Sequence, residues 1–299
     1  MLRFIDLFAG IGGFRMGMEQ AGHRCAGYVE IDKYARRSYE AVYDTEGEWS
    51  AADIRCVSAG ELRAIGRIDC FCGGFPCQTF SIAGRRSGFE DTRGTLFFEI
   101  ARLAQSIRPP LLFLENVKGL LSHGGGAFKT ILTTLDDLGY DAEWQVLNSK
   151  DFGVPQNRER VYIVGYLRGK CSGQVFPLGE IPCKTEAVPM KNIGTRLIQV
   201  GIIDRTYESS GRVFSSNGLS PTLVIPGGGG RTVKILNGGR VRCLTPREYW
   251  RLQGFPDWAF ERAEKVNSDT QLYKQAGNSV TVPVIAAIAD KLSSIIISN

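Results

Sequence analysis

Histidine and long apolar runs are the two scarcest features of this sequence. Only His23 and His123 occur among 299 residues, so a hydrolase built on a cysteine and histidine pair has little to work with. The longest apolar candidate, residues 284–297, is interrupted by Asp290 and Lys291, and it falls short of the ~18 residues that a membrane span needs. We therefore expect neither such a hydrolase nor a transmembrane protein.

A secretion signal and a disulfide framework are missing from the pattern as well. The first eight residues are typical of a strand, with no apolar signal core and no small-residue cleavage site behind them. Eight cysteines are too few for a disulfide scaffold, and a reducing compartment would keep them as thiols. We expect a cytosolic protein in which a single cysteine can be chemically active.

Positive charge is concentrated in the second half of the chain. The net charge of +5 comes from 36 basic and 31 acidic residues. Residues 1–150 carry 17 Lys and Arg against 19 Asp and Glu, whereas residues 151–299 carry 19 against 12. Within residues 166–251 the ratio is 13 to 5. This distribution predicts a module that faces a polyanion such as a nucleic acid, and a solvated basic surface without a partner is the alternative.

The first half alternates short apolar segments with helical patterns. The predicted strands comprise residues 3–8, 24–30, 68–72, 111–115, 141–147 and 160–166. The predicted helices comprise residues 13–21, 33–43, 96–107 and 128–138. Strands that alternate with helices are typical of a parallel sheet covered on both faces. The fold class predicted is therefore α/β, with a doubly wound and mostly parallel sheet.

A second, smaller domain is predicted where this alternation ends. Residues 168–239 form short irregular segments rich in Gly, Pro, Ser and Thr. Helices are expected again at residues 245–254 and 282–297, and the last of them should pack back on the first domain. We divide the chain into a first domain of residues 1–167, a second domain with its hinge at 168–270, and a returning C-terminal segment at 271–299.

A glycine-rich turn joins the first predicted strand to the first helix. It contains Gly10, Gly12 and Gly13, and Glu30 ends the next strand. In such folds glycines let an adenosine cofactor approach the backbone, and an acid about 20 residues further on accepts hydrogen bonds from ribose hydroxyls. A nicotinamide cofactor would favour a third glycine where Arg15 stands. A nicotinamide oxidoreductase is thus the rival enzyme class, and a purely structural turn is the simplest alternative.

Cys77 is expected in an exposed loop directly after another predicted strand. Gly73, Gly74 and Pro76 fix that loop, and its place at a strand's carboxyl end puts the thiol at the mouth of the cofactor crevice. Being a small buried hydrophobe is an equally common use of cysteine. A zinc site that combines Cys77 with the neighbouring strand cysteines has poor spacing and no nearby histidine.

Charged residues follow or begin two further predicted strands. Glu115 stands at the carboxyl end of an apolar strand, where it either caps the following helix or donates a proton in the same crevice. Arg158 and Arg160 are spaced by two residues, so on a strand they would point to one face and clamp an anion or a carbonyl. Surface salt bridges are the alternative for each.

In this order and on these strands, the motifs resemble those of the DNA (cytosine-5)-methyltransferase family. The resemblance spans nearly the whole chain and is carried by residues 4–14, 74–81, 88–91, 93–94, 115–117, 156–160, 244–248, 252–257 and 275–280. The single short variable region is similar to compact bacterial or phage enzymes of restriction-modification type. The resemblance implies a class I S-adenosylmethionine-dependent methyltransferase fold with a smaller, irregular DNA-recognition domain.

The resemblance also implies roles for the four candidate catalytic residues. Cys77 matches the thiolate that adds to carbon 6 of cytosine, and Glu115 matches the acid that shares a proton with ring nitrogen 3. Arg158 and Arg160 match the pair that holds the base carbonyl around the covalent adduct. Carbon 5 then accepts the methyl group of S-adenosylmethionine, and the sequence assigns no base to the final proton.

For the cofactor, the resemblance places Phe8 against the adenine or methionine part, Glu30 on the ribose, and Asp53 with Ile54 along the adenine edge. The other implied cofactor-binding residues are Gly10, Gly12, Gly13, Ile31, Pro76, Leu96 and Asn278. No metal is expected. The product would be S-adenosylhomocysteine.

Because carbon 5 lies inside the duplex stack, the resemblance implies that the target nucleotide is flipped out. Residues 78–93 are the expected closing segment, with Gly84 and Gly88 as hinges. Arg212 is expected to read guanine, with a phosphate contact as the alternative. The implied DNA-binding residues are Gln78, Ser81, Arg85, Arg93, Arg212, Thr222, Gly228 and Gly229.

The expected partner is double-stranded DNA, contacted by a monomer in the cytoplasm of a bacterial or phage-infected cell. A cognate restriction endonuclease would act on the same site without forming a complex. Relatives that act on RNA carry a second cysteine next to the motif at 115–117, and this sequence has none there. A catalytically inactive DNA-binding relative would lack Cys77 or Glu115, and both are present.

Overall fold

A seven-stranded sheet forms the centre of the protein. The structure, a computed structural model, describes residues 1–76, 96–121, 126–179, 194–204, 206, 208–225 and 232–297. In spatial order the strands are β3 (Trp49–Ala51), β2 (Arg24–Val29), β1 (Arg3–Leu7), β4 (Cys70–Gly74), β5 (Leu111–Val117), β8 (Glu159–Leu167) and β6 (Tyr140–Asn148). The first five are parallel, and β8 runs antiparallel to both neighbours. The order reverses between β1 and β4, which opens a crevice at their carboxyl ends.

Helices cover both faces of this sheet because its strands are apolar on both sides. Helices α1 (Gly13–Gln20) and α10 (Val282–Ile295) pack with Phe4 and Phe113 on one face. Helices α3 (Ala59–Ala64), α4 (Leu96–Ile107) and α5 (Gly126–Asp137) pack with Ile5 and Leu112 on the other. Residues adjacent in a strand point to opposite faces, so a sheet buried on both sides requires near-continuous apolar runs.

A second sheet lies in the region expected to be irregular. Its four strands, in spatial order, are β13 (Arg240–Cys243), β12 (Lys234–Asn237), β10 (Arg212–Ser215) and β9 (Gln199–Ile202), and α6 (Glu208–Gly211) precedes β10. A short parallel pair, β7 (Gln156–Asn157) with β11 (Ser220–Pro221), joins this region to the first half of the chain. The strands are too short and too polar for their alternation to stand out in the sequence.

A third apolar cluster ties the small sheet to the large one. Helices α2 (Lys33–Val42), α7 (Pro246–Leu252), α8 (Asp257–Ala263) and α9 (Asp269–Asn278) contribute to it together with Phe214 and Ile235 of the small sheet. Helix α7 begins at a capping box, in which Thr245 and Glu248 satisfy each other's backbone amides and Pro246 follows the cap. The cluster holds the C-terminal helices beside the crevice.

The predicted strands and helices of the first half are present, with ends that differ by at most two residues. The short β3 and α3 were not predicted, since three and six residues carry little periodicity. The last helix packs on α1, as expected. In the described part of the chain, no helix is both long and apolar enough to span a membrane.

Candidate active site

A cavity of about 710 Å³ opens at the carboxyl ends of β1, β2, β4 and β5. Most of the predicted site residues line it, although they come from distant parts of the sequence. The predicted residues in its wall are Phe8, Gly10, Glu30, Ile31, Asp53, Ile54, Pro76, Leu96, Glu115, Arg158, Arg160 and Asn278. The cavity therefore joins nine of the eleven expected cofactor residues to three of the four expected catalytic residues in one continuous space.

The turn after β1 is held in an unusual backbone conformation. Phe8, Gly10 and Gly12 all have positive φ angles, of 57°, 57° and 81°. A Cβ at Gly10 would meet open space, so at this residue no side chain stands between the backbone and the cavity. The amide of Ala9 donates to the carbonyl of Val29 at 2.9 Å and fixes the turn against β2. A ligand can thus approach the backbone closely at Gly10.

Glu30 closes the turn from the neighbouring strand. One carboxylate oxygen accepts the Gly10 amide at 2.6 Å, and the other accepts the Asp32 amide at 2.7 Å. Burial raises the pKa of Glu30, and these two backbone hydrogen bonds offset part of that increase. Each oxygen keeps a further lone pair, so the side chain can still accept hydrogen bonds from a ligand's hydroxyl groups.

Gly12 and Gly13 do not line the cavity. A Cβ at Gly12 would overlap the Tyr43 ring, and a Cβ at Gly13 would lie 2.7 Å from a methyl carbon of Val280. Both positions require glycine because the turn packs tightly against its supports on the side away from the cavity. Their predicted contact with the cofactor stays a prediction.

The outer wall is formed by the segments after β2 and β3. Ile31 is 64% exposed, an unusual state for isoleucine, and faces the cavity with Ile54, which is buried. Asp53 caps the short 3₁₀ helix Ile54–Cys56 and forms an ion pair with Arg55 at 2.6 Å. Hydrogen bonds from Arg55 hold the pKa of Asp53 below its usual range.

Glu115 is the most buried carboxylate of the cavity wall, with 7% of its surface exposed. Burial raises the pKa of Glu115, and the cations of Arg160 and Arg158 lower it in part. A Cβ at Gly74 would lie 2.8 Å from a Glu115 oxygen, so glycine is needed there to admit the carboxyl group. The site accordingly holds a carboxyl group with a raised pKa next to two positive charges.

Arg160 contacts Glu115, whereas Arg158, which lies just before β8 rather than within it, acts on Glu115 through its charge. The Arg160 Nε lies 3.1 Å from a Glu115 oxygen. Arg158 is 3% exposed and donates from Nη2 to the carbonyl of Ser279 at 2.7 Å. Among the described residues, its Nε and Nη1 have no hydrogen-bond partner. Burial lowers the pKa of Arg158 to about 10, so the guanidinium stays charged at neutral pH.

Several cavity residues were not predicted. Lys274 forms an ion pair with Asp32 at 2.6 Å, and both line the wall. Asn116 donates from its amide nitrogen to the carbonyl of Phe75 at 2.9 Å and so supports the segment that precedes Cys77. Asn116 lies inside a quoted motif, which was a usable signal. The pairing of Lys274 with Asp32 spans 242 residues, and no local pattern indicates it.

The predicted DNA-binding residues are only partly described. Arg212 lies on β10 with an ion pair to Glu208 at 3.3 Å. The Thr222 hydroxyl donates to the carbonyl of Asn157 at 2.7 Å, next to Arg158. The other predicted residues of this group, together with the expected hinges and Cys77, lie outside the described residues: Cys77, Gln78, Ser81, Gly84, Arg85, Gly88, Arg93, Gly228 and Gly229.

The sequence matches a known protein family over nearly its whole length. The family described as C-5 cytosine-specific DNA methylase matches residues 2–200 and 191–294. The Type II methyltransferase M.HpaII of Haemophilus parainfluenzae is 40% identical, over 97% of this chain and 88% of its own length. The Type II methyltransferase M.HhaI of Haemophilus parahaemolyticus is 37% identical, over 98% of this chain and 94% of its own length.

Solved structures show the same fold at lower sequence identity. The Dnmt2 methyltransferase of S. pombe superposes with a TM-score of 0.74 at 20% identity, and the alignment covers 98% of this chain and 99% of that one. The methyltransferase EhMeth of Entamoeba histolytica gives a TM-score of 0.69 at 17% identity, with 98% of each chain covered.

Proposed function

The chain belongs to the family of C-5 cytosine-specific DNA methylases and is thus a DNA (cytosine-5-)-methyltransferase, and we propose that it methylates a cytosine flipped out of a short specific duplex sequence, with S-adenosylmethionine as donor and through a covalent adduct of Cys77. The observation that carries the proposal is the single cavity in which Glu115, Arg158 and Arg160 face the glycine turn and Glu30. Chemistry on a base and a bound adenosine cofactor require such a shared space.

The cavity wall fits an adenosine cofactor. Gly10 leaves open space at the backbone, and Glu30 presents a buried carboxylate with lone pairs left for ribose hydroxyls. Phe8, Ile31 and Ile54 supply apolar surface for the adenine, with Asp53, Pro76, Leu96 and Asn278 completing the pocket. When bound, S-adenosylmethionine supplies an electrophilic methyl group on its sulfonium sulfur.

The base side of the cavity fits a cytosine ring. Addition of the Cys77 thiolate to carbon 6 would push electron density toward carbon 5 and ring nitrogen 3. Glu115, whose pKa is raised by burial, would hold or give a proton at nitrogen 3. Arg158 Nε and Nη1, which have no partner among the described residues, are buried donors that would bind the base carbonyl, and Arg160 would hold Glu115 in place. Carbon 5 would then form a bond to the donor's methyl group, and loss of the carbon-5 proton with expulsion of the Cys77 thiolate would restore the aromatic ring.

The DNA-binding part of the proposal draws on the small domain and on the segment after Pro76. A cytosine in a duplex cannot reach Glu115 unless it leaves the base stack, so the proposed methylation requires base flipping. Arg212 and Thr222 are proposed to contact DNA with Gln78, Ser81, Arg85, Arg93, Gly228 and Gly229. We further propose a monomer in the cytoplasm, and a restriction endonuclease of the same specificity that acts separately.

The test is transfer of a labelled methyl group to duplex DNA. Purified protein would be incubated with unmethylated DNA and methyl-labelled S-adenosylmethionine, and modified positions mapped by bisulfite sequencing. We expect label at carbon 5 of cytosine within one short motif. Cys77→Ala should abolish it, whereas Cys171→Ala, which alters a cysteine beside Pro110 at the opposite end of the sheet, should not.

Two results would contradict the proposal in different ways. Label on DNA that survives Cys77→Ala would overturn the covalent mechanism while leaving the activity intact. Cofactor binding without label on any DNA, but with label on RNA, would change the substrate class.

A further inference from the structure

Arg15 stands where nucleotide-binding turns often carry a third glycine, and its side chain belongs to a buried cluster rather than to the cavity wall. Its guanidinium donates to the two oxygens of Glu48 at 2.7 and 2.9 Å and to Glu19 at 2.9 Å. A further bond reaches the carbonyl of Asp44 at 3.3 Å. These bonds fix Arg15 between α1 and the segment that connects α2 to β3.

The fixed guanidinium covers the ring of Tyr43, whose hydroxyl reaches the glycine turn. The central carbon of the guanidinium lies 4.5 Å from the Tyr43 ring centroid, within the range of cation–π attraction. The Tyr43 hydroxyl donates to the carbonyl of Gly12 at 2.6 Å. The same carbonyl accepts the Met16 amide at 2.8 Å, which is the first bond of α1.

The turn needs such support because its backbone is not a low-energy conformation for every residue. Phe8 has a φ of 57° without being glycine, and a left-handed conformation is unfavourable for a side chain that carries a Cβ. The amide of Gly10 is held by Glu30 on the cavity side, whereas the carbonyl of Gly12 is held by Tyr43 on the opposite side. The turn is therefore clamped from both sides.

We propose that Tyr43, held in place by Arg15 and Glu48, is a positioning residue that pre-organises the glycine turn for the adenosine cofactor. A ligand that binds only one conformation of a turn binds more weakly when only a fraction of the protein molecules adopt that conformation. The inference rests on the proposed function, since it requires that this turn binds the cofactor. The inference gives Arg15, which stands at the position of the third glycine, a role in supporting the turn rather than in contacting the ligand.

Tyr43→Phe tests the inference because it removes the hydroxyl and keeps the ring that packs on Gly12. Tyr39→Phe is the matched control: Tyr39 is also buried in the cluster, but its hydroxyl does not bond the turn and only accepts the longest hydrogen bond of Arg15, at 3.4 Å. Its removal leaves the shorter, charge-assisted bonds of Arg15 to Glu48 and Glu19 in place. Calorimetric titration with S-adenosylhomocysteine should show about three- to tenfold weaker binding for Tyr43→Phe and unchanged binding for Tyr39→Phe.

A second readout uses the protein without cofactor. Amide hydrogen exchange of residues 8–16 should be faster in Tyr43→Phe than in wild type and unchanged in Tyr39→Phe. Equal binding and equal exchange in all three proteins would overturn the inference, and so would equal losses in both variants, which indicate a general loss of stability. If wild type itself does not bind S-adenosylhomocysteine, the cofactor assignment fails, whatever the variants do.

Glu48→Gln serves if Tyr43→Phe does not fold. Its side chain is 20% exposed, so the substitution weakens the hold on Arg15 without creating a cavity. We expect about two- to threefold weaker binding together with faster exchange of residues 8–16. Unchanged values for both would overturn the inference.

Discussion

Glu115 shows how one side chain acquires a function from its surroundings. Burial raises the pKa of Glu115, and the positive charges of Arg160 and Arg158 offset part of that increase. A carboxyl group whose pKa is raised in this way is better suited to give and recover a proton than an exposed one. The same residue on an open surface would be an ordinary carboxylate.

We predict that Glu115→Gln lowers single-turnover methyl transfer by about 10²- to 10⁴-fold, because an amide cannot transfer a proton to the base. Rapid-quench measurement with DNA that contains the target motif provides the test. Glu159→Gln is the matched control: Glu159 directly precedes Arg160, but its exposed side chain forms a salt bridge with Lys118 at 2.9 Å. This variant should react at the wild-type rate. A loss below threefold for Glu115→Gln would exclude its role as an acid.

Asp6 permits a prediction about pH. It is fully buried, and burial raises its pKa well above the ordinary value, with Arg15 offsetting only part of the increase. Above about pH 4 the unfolded chain releases this proton and the folded chain keeps it, so the folded state binds more protons. Its contribution to stability is therefore complete at low pH and declines as the pH rises.

Asp6→Asn should remove that decline. The free energy of unfolding of the variant, relative to wild type, should increase from pH 5 to pH 8, by up to about 1.4 kcal/mol per pH unit. Urea denaturation at four pH values measures this difference. A difference that stays constant or falls with pH would show that Asp6 is ionised in the folded protein.

At the scale of secondary structure, α1 approaches α10 closely because it carries Gly17. A Cβ at Gly17 would lie 2.6 Å from the Cβ of Ile285 and 2.9 Å from the backbone nitrogen of Ala286. Neither atom is the end of a flexible side chain, so the two helices would have to move apart. Close helix packing explains a glycine inside a helix, where glycine is otherwise unfavourable.

We predict that Gly17→Ala destabilises the protein by about 1–3 kcal/mol, because overpacking outweighs the better helix propensity of alanine. Gly60→Ala is the control: Gly60 is exposed on α3, and its Cβ would meet only the Ser58 hydroxyl at 3.8 Å. It should leave the stability unchanged or raise it slightly. Chemical denaturation of both variants decides, and equal effects would refute the packing argument.

At the scale of the whole molecule, the cavity joins the two ends of the chain. Asp32 follows β2, Lys274 lies on α9, and their ion pair closes one side of the wall. Arg158 likewise binds the carbonyl of Ser279, which follows α9. A ligand in the cavity thus contacts elements that fold together only in the complete protein.

Ligand binding should therefore stabilise the protein as one unit. S-adenosylhomocysteine at 100 times its dissociation constant should raise the free energy of unfolding by about 2.7 kcal/mol in a single transition. Thermal unfolding with and without the ligand measures this shift. NAD at the same concentration is the control and should have no effect; stabilisation by NAD alone would favour the rival oxidoreductase.

Much of this protein follows from local sequence. The α/β class, the six predicted strands and the glycine turn depend on apolar runs and turn residues that are adjacent in the chain, so their signals survive without any tertiary information. The sequence also predicts Cys77, Glu115, Arg158 and Arg160 as site residues, because each stands in a short motif of adjacent residues. The glycine turn, Glu30 and Glu115 were expected in one crevice because parallel strands end at a common edge.

The tertiary structure decided what depends on residues far apart in the sequence. The four short strands of the small sheet become stable only by pairing and by burial against α7, so no periodicity in the sequence predicts them. The sequence predicts Gly12 and Gly13 as ligand contacts, and that stays a prediction, but only the structure shows that Tyr43 and Val280 leave no room for a Cβ at these positions. Arg15 departs from a nucleotide fingerprint, and its partners Tyr43 and Glu48 lie about 30 residues away. Sequence motifs can be identified in the unfolded chain, whereas packing contacts exist only in the folded protein.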